Sequence, residues 1–380
     1  MLHHYVPRFY LKFFSDNNEK SIGYYNLCAD KGVPTSNLYN QCAIEDFYGN
    51  EIIEDSLADI EGAASKILLK IISMNELPIE RSAEHHALLA FIMIQIMRTP
   101  GMKLQIDTMA TQIAKNIIKH DNNISDNPEA LEALNAIEFK SNIKNNLKMG
   151  AINLPICYDL AYCLIVNDSN EAIITSDNPV ILYNQYLESR KLFGGNCGFA
   201  IKGLQIILPL SPRHVFMFYD RDVYGFGRKH PKIVRTFAPE DIDQLNGLQV
   251  INAVGSLYFQ SSSISKSQIS ELVDKYKKKR RSSLSILNEY PGKESSSGKT
   301  SITLHGHPND IKINMQLSFI KYLKKAKLYQ LGNRVTHVRD EFMVEAHSEF
   351  VKLATKGQYR YSEFNKFMQD KKAQFSSEPL

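Results

Sequence analysis

Tryptophan is absent from the 380 residues, so aromatic burial rests on 19 Tyr and 19 Phe. Cysteine is scarce: five residues, at 28, 42, 157, 163 and 197, odd in number and without metal-ligand spacing. That usage argues against a disulfide framework and a paired-cysteine zinc site, and it fits a reducing cytoplasm. No His-Glu-x-x-His pattern occurs. No apolar run approaches the roughly 20 residues of a membrane span, and no signal peptide precedes the first histidines. A soluble cytoplasmic protein is therefore expected. Gly194-Gly195-Asn196-Cys197-Gly198 is glycine-rich but lacks the Lys-Ser or Lys-Thr of a phosphate loop. Cys197 as a nucleophile would need a base, and the sequence nominates none.

What is present is ordinary in amount and uneven in placement. Hydrophobic residues at 43% and charged residues at 23% suit a globular chain of two domains, or one with appendages. The net charge of +4 is mild, yet Lys275 and Lys277-Lys278-Lys279-Arg280-Arg281 form one basic run. Lys321, Lys324, Lys325 and Lys327 form another. A solvated helix face is the plain reading of such a run, and RNA or another nucleic acid is the partner it would otherwise serve.

Periodicity predicts helices first. After Asn50, Ile53, Leu57, Ile60, Ala64, Ile67 and Ile71 make one stripe, with Glu61 at its margin. Ala87–Met97 is apolar on every side except Gln95, and Arg98 follows on the same face before Thr99-Pro100 ends the helix. Further helices are expected near 103–119 and 128–149. From about residue 151 the period shortens, predicting strands at 162–166, 172–175, 180–183, 205–208 and 215–219 of a mostly antiparallel sheet. Pro239-Glu240-Asp241 opens another helix, and Ser265 with Gln268 has capping-box spacing. Pro291–Ser301 reads as a linker, Ile311 to Phe319 alternates like a strand, and 339–375 reads as one or two helices.

The expected class is α+β, a helical N-terminal layer packed on a mostly antiparallel sheet with a basic C-terminal appendage. Its boundaries fall at 1–150 (motif plus helical layer), 151–290 (sheet with flanking helices), 291–301 (linker) and 302–380 (strand-plus-helix appendage).

Residues 3–14 are unlike a frayed terminus: His3, His4 and Arg8 stand among Tyr5, Phe9, Tyr10, Phe13 and Phe14. Exposed, this stretch would be a sticky patch, so it is expected to dock on the body of the protein. The His-His-x-Val-Pro-Arg-x-Tyr-Leu-x-x-Phe opening resembles the start of the domain-of-unknown-function family 4238. Arg98-Thr99-Pro100 after an apolar helix, Ser176-Asp177-Asn178-Pro179 after a strand, and Pro209-Leu210-Ser211-Pro212 are similar to the same family. The resemblance covers roughly residues 1–290. Members look like bacterial proteins, some from mobile or defence-related settings, which implies a toxin-like or nuclease activity by analogy.

Three constellations carry the chemistry. His3 and His4 titrate near neutrality and Arg8 could hold an oxyanion, although adjacent histidines on a strand point to opposite faces. Ser176, Asp177 and Asn178 stand where a strand end meets a turn, a frequent place for catalytic groups and equally for turn formers that bond their own backbone. Gln95 and Arg98 need an internal carboxylate, for which Glu61, Glu45 and Asp177 are candidates.

These expectations place His3 or His4, Arg8, Glu61, Gln95, Arg98, Asp177 and Asn178 in one cleft. His3, His4, Asp177 and Glu61 would be catalytic, with Arg8, Gln95, Arg98, Ser176 and Asn178 holding phosphate. The expected activity is hydrolysis of a phosphodiester, RNA before DNA, with a divalent metal compatible with Asp177. The basic run from Lys277 to Arg281 would add sequence-independent affinity for the backbone. The alternative is a non-catalytic sensor or adaptor whose polar cleft binds an anionic ligand or a protein partner.

Overall fold

The short-period half of the chain builds one sheet by itself and a second together with strands from residues 21–37. In the computed structural model used throughout, the structure describes residues 2–16, 19–49, 51–120, 127–192, 194–227, 230–294, 300–330, 337–360 and 363–377. The strands are β1 Leu2–His4, β2 Ser21–Asn26, β3 Lys31–Asn37, β4 Ala43–Glu45, β5 Ala161–Asn167, β6 Thr175–Ser176, β7 Ile181–Tyr183 and β8 Gln205–Ser211. Then come β9 His214–Tyr219, β10 Tyr224–Gly225, β11 Ile233–Thr236, β12 Ser256–Phe259, β13 Ser285–Glu294, β14 Thr300–Pro308 and β15 Lys321–Tyr322. A five-stranded sheet has the order β11-β5-β9-β8-β7, and a four-stranded sheet the order β3-β2-β12-β6. All their pairings are antiparallel except β11 with β5. Every residue of β5 and β8 is buried, so the central strands read as continuous apolar runs.

The helices that position the candidate residues are α1 Arg8–Lys12, α2 Glu51–Met74, α3 Ala83–Met97 and α4 Pro100–Lys119. They are followed by α5 Pro128–Asn135, α6 Ile143–Asn153, α7 Gln185–Ser189, α8 Pro239–Asn252 and α9 Lys266–Tyr276. The last three are α10 Lys324–Leu328, α11 Glu341–Thr355 and α12 Phe364–Ser377. The fold class is the expected α+β.

The opening residues dock as their composition requires. β1 pairs with β4, the chain turns at Pro7, and α1 drives Val6, Tyr10, Leu11 and Phe14 into the main core. The Tyr10 hydroxyl donates to the Pro209 carbonyl at 2.7 Å and meets Thr175 Oγ1 at 2.8 Å, tying the N-terminus to both sheets. α3 starts from a Ser82 cap and is buried on nearly every side. At its end Thr99 leaves helical geometry, caps α4 through Met102 N–H, and Pro100 takes the first helical position. Among the described residues no single helix is long and apolar enough to cross a membrane; α3 and α4 pass that test only as a pair bent by 60°.

α8 is a polar clamp. Asn246, Gln249 and Asn252 recur every third residue on one face. Asn246 accepts from Ile174 N–H and donates to the Ala172 carbonyl. Gln249 accepts from the Ser176 hydroxyl and donates to the Pro179 carbonyl, and Asn252 donates to the Asn178 and Val180 carbonyls. The expected strand at 172–175 is consequently reduced to Thr175–Ser176, because side-chain amides take backbone groups that a ladder would use.

Other elements also differ from expectation. The 128–149 helix breaks in two, and Asn142 caps the second half through Lys144 N–H. Pro291–Ser301 is no linker where described: its ends belong to the β13–β14 hairpin, with Pro291 opposite Ile302 and Glu294 opposite Thr300. Ile311, Ile313, Met315 and Leu317 alternate into the main core, but they sit in an extended segment outside any ladder. Residues 295–299 of the expected linker lie outside the described residues.

Replacing Gln249 with Leu leaves the Ser176 hydroxyl and the Pro179 carbonyl unpaired in the interior. Urea denaturation should show a loss of about 1–3 kcal/mol with an unchanged slope.

Candidate functional site

The opening motif is sealed. His3 is 2% exposed and stacks on Tyr48 with ring centroids 5.2 Å apart. Its Nδ1 accepts from Tyr48 N–H at 3.0 Å, which leaves the proton on Nε2, 2.9 Å from a Glu54 carboxylate oxygen. His4 points the other way, as alternation on β1 requires, and its Nε2 meets the Tyr39 carbonyl at 2.8 Å. Arg8 lies exposed, its guanidinium 4.6 Å from the centre of the Tyr39 ring. His3 and His4 are therefore not presented together to an open cleft, and Arg8 is engaged with an aromatic face.

Arg98 is the most deeply buried charge of the set, 1% exposed. Its Nη1 donates to Glu61 at 2.6 Å and its Nε to the Gln95 amide oxygen at 2.7 Å. Gln95 in turn donates to the Tyr5 carbonyl at 3.0 Å. Of the three candidate carboxylates, Glu61 is the one that meets Arg98. Arg98 Nη2 has no hydrogen-bond partner among the described residues. The Tyr48 hydroxyl donates to the His4 carbonyl, and burial raises its pKa while the Arg98 cation opposes that rise. His3, Tyr48, Arg98, Glu61, Gln95 and Tyr5 thus form a continuous interior network joining the opening motif to α2 and α3.

The Ser176-Asp177-Asn178 turn goes elsewhere. Asp177, 5% exposed, accepts from Val254, Gly255 and Ser256 N–H at 2.8, 2.8 and 3.0 Å, which fastens the turn between α8 and β12. Burial pushes its carboxyl up to about 6, against the three N–H donors and Arg280, which pull it down. With both oxygens engaged, Asp177 orients neither histidine. Ser176 is held by Gln249, as described above. Asn178 accepts from Thr99 Oγ1 at 3.0 Å and donates to the Asn252 carbonyl at 3.2 Å.

The nine expected residues therefore do not share a cleft. They divide into the sealed network around Arg98, the half-buried His4 and the exposed Arg8 at Tyr39, and the turn at Asp177. Of these nine, Asn178 lines a cavity. That cavity, about 230 Å³, lies where the Thr99-Pro100-Gly101 turn meets the Asn178 turn and the end of α8. Arg280, Arg281 and Asp310 supply its charges, and Gln105 and Asn252 add amides. Arg280 donates to the Ala253 and Val254 carbonyls, a favourable place for a cation at a helix end. Arg281 donates to the Asn309 carbonyl and to Asn252, but its buried Nε has no hydrogen-bond partner among the described residues. Cys197 also lines the cavity; burial and the Asp310 carboxylate push its thiol well above its usual range, so it is no thiolate nucleophile.

The basic run splits between inside and outside. Arg280 and Arg281 turn inward, Lys277 pairs with Asp30 and Asp274, and Lys278 and Lys279 remain on the surface. Sequence reasoning assigned both arginines to a surface strip. Their position beside α8 follows from the helix-end carbonyls for Arg280 and from the Asn309 carbonyl and Asn252 side chain for Arg281, for which the sequence carries no local signal. No group of three or more His, Cys, Asp or Glu able to hold a metal ion occurs among the described residues.

An α+β body whose shared motifs form interior joints, with one charged cavity at their meeting point, is what the geometry defines. The chain belongs to the family described as Protein of unknown function (DUF4238), whose model matches residues 2–263. No curated protein and no solved structure matches it.

Two stability measurements test these assignments. Glu61→Ala leaves a buried cation without a counter-charge and should cost about 3–5 kcal/mol. Arg98→Met removes the charge itself and strands Glu61, which is 28% exposed, and the neutral Gln95 amide oxygen, so it should cost less than leaving the cation unpaired. A carbon-13 titration should find Asp177 changing protonation near pH 6. Because the folded state holds that proton more tightly than the unfolded chain, stability relative to Asp177→Asn should fall as pH rises from about 4 to about 6 and stay level above.

Proposed function

We propose that this chain is a non-catalytic sensor or adaptor module that binds a small anionic ligand, a phosphate ester or comparable oxyanion, in the cavity at Arg280 and Arg281. The observation that carries the reading is Arg281 Nε, a buried cationic donor without a partner among the described residues, on the wall of a cavity holding a second arginine. A buried guanidinium donor left unpaired is costly, and an anion entering the cavity would satisfy it. The first turn of α4, with Gly101 and Met102 on the wall, adds the positive end of a 20-residue helix. Asp310 is the carboxylate lining the same space, so two arginines leave the balance positive.

The hydrolytic reading has less support. Proton transfer in a phosphodiesterase needs an imidazole or carboxylate free to face the substrate. No histidine lines this cavity among the described residues, and Asp177 is held by backbone donors.

Calorimetric titration of the full chain with inorganic pyrophosphate should give saturable binding. Gln105→Glu, which sets a like charge on the wall, should weaken it about tenfold, and Arg281→Gln should weaken it further. Incubation of the same samples with total RNA decides between the readings. Intact RNA with bound pyrophosphate supports the module; RNA cleavage abolished by Gln105→Glu would return the site to the hydrolases.

A further inference from the structure

A second pair of cavities lies between α2, α3, α6 and the C-terminal helices. The inner chamber, about 250 Å³, has apolar walls from Ile60, Ala90, Met93, Ile94, Leu154 and Phe364. An apolar cavity of about 150 Å³ stays dry and takes up benzene, so this one is large enough for a short aliphatic chain or a ring. The outer chamber, about 510 Å³, is polar and includes Arg81, Ser82 and Gln369. His86, Tyr158 and Phe364 line both, which makes them the threshold between the two.

The threshold and the mouth are built differently. His86 Nδ1 is hydrogen-bonded to the Tyr158 hydroxyl and their rings stack. Partial desolvation lowers His86, which keeps an exposed face, and burial pushes Tyr158 up to about 12, so the surroundings of both disfavour the charged form. Arg81 stands outside it with φ +66°, and its N–H donates to His85 Nδ1 at 2.9 Å, which fixes its backbone at that place. α3 begins directly after, at Ser82, so its positive end faces the same mouth. Asp159 is the carboxylate lining the mouth, and Arg339 neutralises it through contacts of 2.8 and 3.0 Å. The mouth is thus left cationic over an apolar chamber.

We infer that these chambers bind a small amphipathic carboxylate, an aliphatic or aromatic acid, with its apolar end among Ile60, Met93 and Leu154 and its carboxylate at Arg81. One wall comes from Phe364 and Met368 of α12, beyond the residues the family model matches. The site is accordingly a property of this chain and distinct from the cavity at Arg281.

Calorimetric titration of the full chain with octanoate, and with 1-octanol as the uncharged counterpart, tests this. Saturable one-to-one binding of octanoate is expected. Arg81→Gln should weaken octanoate about tenfold while leaving 1-octanol unchanged. Ala90→Phe, which fills the chamber, should abolish both. If that variant does not fold, Ala151→Phe decides, because Ala151 lines the chamber from an exposed position. No saturable octanoate binding by the wild type, or binding that survives the filling substitution, overturns the inference. Pyrophosphate binding in the same samples should be unaffected by either filling variant.

Discussion

The buried guanidinium of Arg98 sets the terms for the N-terminal half of the fold. A cation with 1% exposure must be surrounded by acceptors, and the acceptors it finds belong to different segments. Glu61 comes from α2, Gln95 from the preceding turn of α3, and Gln95 passes the connection to the Tyr5 carbonyl. One residue later, Thr99 turns the opposite way, capping α4 and donating to Asn178. A tripeptide at a helix break therefore joins the opening motif on one side to the Ser-Asp-Asn-Pro turn on the other. Motifs far apart in sequence prove to be parts of one joint.

This explains why polar residues that look catalytic in a linear reading are structural in space. Asp177 is surrounded by backbone donors that need a carboxylate to close the turn after α8. His3 is fixed as one tautomer between a peptide N–H and Glu54. Both arrangements hold conformation through charge and hydrogen-bond direction, which apolar packing alone specifies less sharply. The cavity at Arg281 sits where the fixed turns meet. Rigid walls of this kind are what a binding site requires if it is to discriminate by shape.

Much of the architecture was legible in the residues. The stripe from Ile53 to Ile71, the all-round apolarity of Ala87–Met97 and the Ser265–Gln268 capping box became the elements they predicted. The burial of Gln95 and its pairing with Arg98 followed from an amide and a cation on an otherwise apolar helix, whereas the choice of Glu61 over Glu45 and Asp177 did not. The single cleft did not follow, because adjacency in a motif says nothing of which way each side chain turns at a helix end. The Ala172–Ile174 strand failed because the competitors for its backbone were amides some 70 residues away. The linker failed because Pro, Gly and Ser serve a hairpin as well as a tether. Arg280 and Arg281 were read by charge alone, while Arg280 is placed by carbonyls at the end of α8 and Arg281 by the Asn309 carbonyl and the Asn252 side chain.

The pairing of β2 with β12 joins residues 21–26 to residues 256–259. On a ribosome β2 emerges some 230 residues before β12, the strand that joins it to β6. At roughly 5–20 residues per second, that interval is on the order of ten seconds or more. Throughout it β2 and β3 stand as a hairpin whose β2 edge awaits β12. The four-stranded sheet is thus closed late in synthesis, and the open edge of β2 is a template for misplaced pairing until nearly the whole matched region has emerged.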